Sequence, residues 1–385
     1  MKPTATIAAV MTAILAGCSS SPTEESLPTI DLSANLPTKE IFIEDIADVT
    51  FTPLETTDSF ITRGNLTSIT DKHIAVANNG RDGELFIFDR TTGRAISHIN
   101  RKGQGAGDYT DFSHAVLSNH SDEIYIVCSG LKKIMVYDLK GNLLRELPYA
   151  LPDDRYIKIN SLAEYDADHL LAFLTIGSPR LDTSDSHHAI ISKADGTITQ
   201  SLPISITTPE SSVYSKDDFV AVSILPTIGT TPDGWAFFRI SSDTIFTLTP
   251  DRTLTPLLTR TPSIHTSDPQ TFLYPTTATS DIIFLVAVEK TFDIDKMEGF
   301  PSTHIAYDRN DRKTYSVQLK SRALGPDYTF TTEPGRLFTP TNPIIAAIAL
   351  PAETLRDLNL SQPLKTIVET LDEEANPVIM IATAR

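Results

Sequence analysis

The segment Asn100–Phe112, NRKGQGAGDYTDF, sets Gly103, Gly105 and Gly107 at alternate positions beside Arg101 and Lys102. Glycines and cations together are what a phosphate-cradling loop uses. That chemistry also needs a strand before the loop and a helix directly after it, so that backbone N–H groups and the helix dipole face the anion. Here the residues that follow read as turns and strands, the GxGxxG order is not met, and no Gly-Lys-Ser/Thr follows. Nucleotide binding is therefore not expected, and the stretch reads as a connector whose glycines permit positive φ. Arg101, Lys102 and Tyr109 flank it, where they could reach a surface and meet an acidic ligand.

Other residue sets were weighed for chemistry. FDIDKMEG places Asp293, Asp295 and Gly299 near the spacing of a calcium loop, but Met297 takes a ligand position and the glycine comes one residue late, so a solvated loop between strands is expected. The nine histidines contain no HxH or HxxxH pair, and the adjacent His187 and His188 should point to opposite faces of a strand. A Gly-x-Ser-x-Gly elbow is absent. Trp235, the single tryptophan, lies beside Phe237, Phe238 and Arg239. An aromatic plane with a neighbouring guanidinium could stack a sugar or an aromatic ligand, whereas packing between sheets would bury it. Cys128, inside EIYIVCSG, reads as a small buried hydrophobe. No cofactor motif emerges.

The elements that must position these residues are short alternating strands with tight polar turns, and long helical periodicity is nearly absent. ELFIFDRTTGRAISHI, KIMVYDLKGNLLREL, HAIISKADGTITQSL, TIFTLTPDRTLTPLL and HIAYDRNDRKTYSVQL each read as a β-hairpin, and each follows another apolar strand. The positions before the turns, Asp89, Asp138, Lys193, Thr249 and Asp308, are 49, 55, 56 and 59 residues apart. Four-stranded units at such spacing are the signature of propeller blades. A sixth unit can be assembled from the last strand, PVIMIAT, and the first, IFIEDIADVTFTPL. The expected fold is all-β: a six-bladed β-propeller over 41–385, with N- and C-terminal strands closing one blade. A short helical insertion precedes the last strand, where Leu364, Ile367, Val368 and Leu371 share one helical face.

The N-terminus carries Lys2, a short apolar run from Ile7 to Leu15, and then Leu-Ala-Gly-Cys. That order fits a secretory signal over 1–17, and the run is shorter than the ~20 apolar residues a span requires. Leu-Ala-Gly-Cys resembles the bacterial lipobox, which implies lipid attachment at Cys18 and anchoring without a transmembrane helix. Residues 18–40, rich in Ser, Thr, Pro and Glu, read as a flexible tether. Ser19 rather than aspartate behind the cysteine favours the outer membrane, facing the periplasm or the cell surface. The formal net charge of −17 at pH 7 disfavours nucleic acid and anionic headgroups as partners.

The block from Gly103 to Leu147 resembles one NHL-type propeller repeat. More closely, RKGQGAGDY resembles the Arg-x-Gly-Gln-Gly-Pro-Gly-Glu-Tyr segment of the Bacteroidota six-bladed β-propeller lipoproteins (NHL/TolB-like), departing from it at Ala106 and Asp108. The opening IADVTFTPLETTD, the lipobox and the ending EEANPVIMIATAR resemble the same family. The resemblance implies fold and address and is nearly silent on activity. With no catalytic set in view, the expected function is binding: a rigid disc whose loop-built face engages an envelope protein or a carbohydrate. The alternative is a hydrolase or lyase with residues converging on the central channel, and an axial metal assembled from distant blades stays open.

Overall fold

The computed structural model describes residues 27–151, 153–249, 251–332 and 344–385. The signal segment and Cys18 lie outside them. Strands alternate direction within each blade. Blade one comprises Asn65–Ile69, His73–Ala77, Glu84–Asp89 and Ala95–Asn100; blade two His114–Leu117, Glu123–Cys128, Lys133–Asp138 and Leu143–Pro148. Blade three is built from Ile157–Glu164, His169–Ile176, His187–Ser192 and Ile198–Leu202; blade four from Ile228–Thr231, Gly234–Phe237, Thr244–Leu248 and Leu254–Thr261. Blade five runs through Thr271–Ala278, Ile282–Glu289, Ser302–Asp308 and Lys313–Lys320. Blade six joins Ile344–Leu350 and Val378–Ala384 to the N-terminal strand Ala47–Pro53. Chain ends thus close one blade, and its strand Ile344–Leu350 is one that the sequence pattern had not singled out.

Six separate apolar cores lie between consecutive blades, and the one holding Ile69, Phe86, Ile344 and Ile381 joins blade six to blade one. That sixth core closes the ring. Strands in the middle of a blade are covered on both faces, so Ile74–Ala77, Ile124–Cys128 and Leu170–Ile176 are buried at every position. Outermost strands, such as Ala95–Asn100, are covered on one face and alternate. Cys128 is fully buried and its thiol is pushed up to about 12 by desolvation, as a small core residue should be.

Asp89, Asp138, Thr249 and Asp308 occupy equivalent positions before their hairpin turns. Asp89 accepts the amides of Thr91 and Thr92, and Asp138 those of Lys140 and Asn142. In blade three the equivalent residue is Ser192, not Lys193 as the sequence spacing suggested: Ser192 Oγ accepts the Ala194 amide and its carbonyl the Gly196 amide. Lys193 falls one place later, where its Nζ reaches the buried Glu164 at 2.5 Å and caps the carbonyls of Asp166 and Ala167. Helices Ala352–Arg356 and Leu364–Glu369 form the insertion before the last strand, with Leu355, Leu364 and Val368 buried against Leu324 and Met380.

The tether boundary at residue 40 needs correction. Thr29–Asp31 pairs in parallel with the outer strand of blade four, and Thr38–Phe42 with that of blade five. Polar composition does not prevent this, because ladder hydrogen bonds come from the backbone and only Ile30 and Ile41 need burial. The segment covers the free edges of two blades before it enters the third.

Candidate functional site

Because strands alternate, the loops between second and third strands share one end of the ring with the connectors between blades. The hairpin turns occupy the other end. The connector end carries the insertions: the ribbon Val213–Lys216/Phe219–Val222 between blades three and four, the hairpin Phe292–Asp293/Glu298–Gly299 within blade five, and the helix pair.

Arg101, Lys102, Tyr109 and Arg239 sit toward this end with their polar groups spent inside the protein, whereas Trp235, beside the turn between the first two strands of blade four, lies toward the other end. Tyr109 is fully buried in the core between blades one and two, where its hydroxyl donates to the Gly83 carbonyl at 2.6 Å and accepts the Arg101 amide at 3.2 Å. Arg101 Nε caps the Gly141 carbonyl at 2.7 Å, and Lys102 Nζ caps that of Arg81 at 2.7 Å. Both side chains are exposed, yet they hold turns rather than await a ligand. Of the three glycines only Gly107 has positive φ, at 82°. Gly103 and Gly105 are needed for close approach instead: a Cβ on Gly103 would lie 2.2 Å from the Asp108 carboxylate, which accepts the Gly105 amide at 2.9 Å. The loop is already occupied by the protein's own carboxylate.

Trp235 is 1% exposed and packs between blades three and four, so the aromatic plate proposed for a sugar is core. Arg239 is equally buried. Its guanidinium grips the Asp182 carboxylate (Nη2–Oδ1 2.7 Å, Nε–Oδ1 3.0 Å), donates to the carbonyls of Thr183 and Ile204, and lies over the Phe173 ring. The histidine pair splits as expected. His187 is half-buried, whereas His188 is fully buried, stacked on Phe237 at 4.3 Å, with desolvation lowering its pKa to about 3. FDIDKMEG is a hairpin in which Asp293 accepts the Lys296 amide and pairs with its ammonium.

Arg239 nevertheless leads to an arrangement that the sequence did not disclose. The second oxygen of Asp182 accepts the Ser241 amide, and Ser241 Oγ accepts the Glu210 amide at 2.8 Å. The Glu210 carboxylate then accepts His265 Nδ1 at 2.8 Å and Gln270 Nε2 at 2.7 Å, while Lys290 Nζ donates to Gln270 Oε1 at 3.0 Å. Burial lowers the Lys290 pKa, and the Glu210 charge opposes that shift. These residues come from four separate loops and one strand-end position, spread over more than a hundred positions, so no local spacing could have signalled them. The relay fixes the blade 3–4 and 4–5 connectors to each other and to a buried ion pair.

The ribbon Val213–Val222 rises from this platform. One face packs aromatic rings on the blade-five hairpin, with Phe219 to Phe292 at 4.7 Å and Tyr214 to Phe292 at 5.9 Å. The other face exposes Val220 (47%) and Val222 (53%), followed by Ile224 (90%). Near the ring axis, hydroxyls pair between neighbouring segments (Ser161 with Thr227, Thr230 with Thr277, Thr276 with Thr332). Among the described residues no group of three or more His, Cys, Asp or Glu is placed to hold a metal ion.

Comparison with known proteins decides the family. A family model described as a 6-bladed beta-propeller, DUF5128, matches residues 20–332. The chain belongs to that six-bladed β-propeller family. It is similar in fold to a Bacteroides fragilis protein described as exported, with 15% identity, a TM-score of 0.58, and coverage of 93% of this chain and 99% of that one. A Bacteroides vulgatus member of the DUF4221 family gives 10% identity and a TM-score of 0.47 over 88% and 96% of the two chains. A streptogramin B lyase structure gives 14% identity and a TM-score of 0.31 over 71% and 92%. No curated protein matches the chain.

Proposed function

We propose that this propeller is an exported, lipid-anchored binding module that holds a protein partner against its connector end. Anchoring would run through Cys18, with the disc facing the periplasm or the cell surface from the outer membrane. The lipobox-like N-terminus supports that address, as does the fold shared with an exported Bacteroides protein.

The observation that carries the binding reading is the ribbon's exposed aliphatic row of Val220, Val222 and Ile224 on a stiff platform. Contiguous apolar surface rimmed by polar residues marks interaction sites. A protein is favoured over a carbohydrate because the exposed groups here are aliphatic, while Trp235 lies in the core.

Photoreactive side chains placed singly at Tyr156, Ile224 and Met297 on the connector end, and at Lys140, Ala194 and Asp251 on the turn end, test this in the protein's own envelope. Crosslinks to one protein from connector-end positions are expected. Crosslinks confined to the turn end, or none from either, would overturn the reading. Cys18→Ala should move the protein from the membrane fraction to the soluble one.

A further inference from the structure

We infer that the strand Phe219–Val222 is a docking edge that accepts an extended, basic segment of the partner by strand addition. This rests on the binding reading above and specifies its chemistry.

Asp217 and Asp218 form a two-residue turn, and the register pairs Lys216 with Phe219, Tyr214 with Ala221, Ser215 with Val220 and Val213 with Val222. In an antiparallel two-residue hairpin the pair flanking the turn exchanges ladder hydrogen bonds, and bonded and non-bonded pairs then alternate. Lys216/Phe219 and Tyr214/Ala221 are therefore the bonded pairs, which agrees with the Ser223 amide donating to the Ser212 carbonyl one step further on. It follows that the N–H and C=O groups of Val220 and Val222 point away from the ribbon. No other strand pairs with this edge among the described residues. The same two residues expose their side chains on the face not covered by Phe292. Edge hydrogen bonds and side-chain surface thus coincide, which is what strand addition uses: main-chain bonds for affinity, alternate side chains for selectivity.

Charge selects the occupant. The turn and the adjoining hairpin (216–218 and 293–298) carry Asp217, Asp218, Asp293, Asp295 and Glu298 against Lys216 and Lys296. Lys296 is committed to Asp293 at 3.0 Å, and Asp217, Asp218, Asp295 and Glu298 have no ion-pair partner among the described residues. The net charge of −17 acts in the same direction. A strand alternating aliphatic and Lys or Arg side chains is complementary, and an anionic bilayer surface is repelled.

The test uses the full-length protein in detergent and labelled peptides read by fluorescence polarisation. The probe is acetyl-Lys-Val-Lys-Val-Thr-Val-Lys-Val-Lys-amide. In an added antiparallel strand the residues opposite Val220 and Val222 share their face and turn their own amides toward the ribbon. N-methylation of the peptide's valines should therefore abolish binding, whereas N-methylation of its lysines should spare it. The Glu-for-Lys peptide should bind at least ~10-fold more weakly at low salt. Val222→Pro removes one outward N–H without touching a ladder bond and should lose the peptide with an unchanged melting curve; Val220→Lys should do the same through charge. Equal binding of the valine- and lysine-methylated forms, binding retained in Val222→Pro, or no binding of the basic peptide would each overturn the inference. Recruitment to phospholipid vesicles that depends on Val220 and Val222 would also overturn it, marking a membrane-facing edge instead. If the peptides fail while connector-end crosslinks persist, only the strand-addition claim falls.

Discussion

Removing the Asp182 carboxylate should unlock the platform that holds the ribbon. The Arg239 side chain is 0% exposed and that of Asp182 4%, so the ion pair is shielded from water on all sides. Deleting one partner of a buried pair leaves an uncompensated charge and costs about 3–5 kcal/mol. In Asp182→Ala the guanidinium keeps its bonds to the Thr183 and Ile204 carbonyls, which places the cost near the lower end, about 3 kcal/mol, or about two decades in the unfolding constant. Replacing both partners by apolar residues, as in Asp182→Leu with Arg239→Met, removes the stranded charge and should be less destabilised than Asp182→Ala. The assay is equilibrium urea unfolding followed by Trp235 fluorescence and by circular dichroism, with the slope m checked for constancy. Because Ser241 links Asp182 to Glu210, Asp182→Ala should also raise amide exchange over residues 205–212 relative to blades one and two. A loss below about 1 kcal/mol, or a double variant no better than Asp182→Ala, would refute the argument that a desolvated charge holds this corner.

Three further outcomes follow from the same physics. Tyr109→Phe strips a buried hydroxyl from the Gly83 carbonyl and the Arg101 amide and should lower stability by about 1–3 kcal/mol in urea titrations, with Gly103→Ala destabilising through Asp108. His188, ordinarily near 6.5 and held at about 3 by burial, contributes stability that is full above pH 6.5 and drains away as pH falls toward 3; the midpoint of urea unfolding should decline over that window, and less steeply in His188→Phe. Trp235 Nε1 is buried with no hydrogen-bond partner, so Trp235→Phe should cost less than about 1.5 kcal/mol while Trp235→Ala costs about 3–5 kcal/mol, both read by circular dichroism.

The blade repeat was legible because it is local. Alternating strands and turn residues such as Asp89 and Asp138 act within a few positions, and a spacing of 49 to 59 residues repeats them. In blade three Ser192 rather than Lys193 holds the position, one residue off the expected one, because spacing alone does not fix register. The N-terminal segment was misjudged because composition reports side chains, whereas its docking on blades four and five runs through the backbone. The site residues were chosen for chemical type, and type does not reveal burial. Tyr109, Trp235 and Arg239 look like ligand-binding groups in the sequence, yet inter-blade packing turns all three inward.

By itself, then, the sequence determined the architecture and its closure, since repeats, strand periodicity and matching chain ends are properties of the linear pattern. The tertiary structure decided which polar groups remain available. Asp182, Glu210, Arg239, Ser241, His265, Gln270 and Lys290 meet only because ring closure brings the connectors of three blades to one rim. Val220 and Val222 become an edge only because the register aims their backbone outward. Contacts between distant segments depend on how blades pack, and that geometry is set by six cores at once rather than by any one stretch of chain.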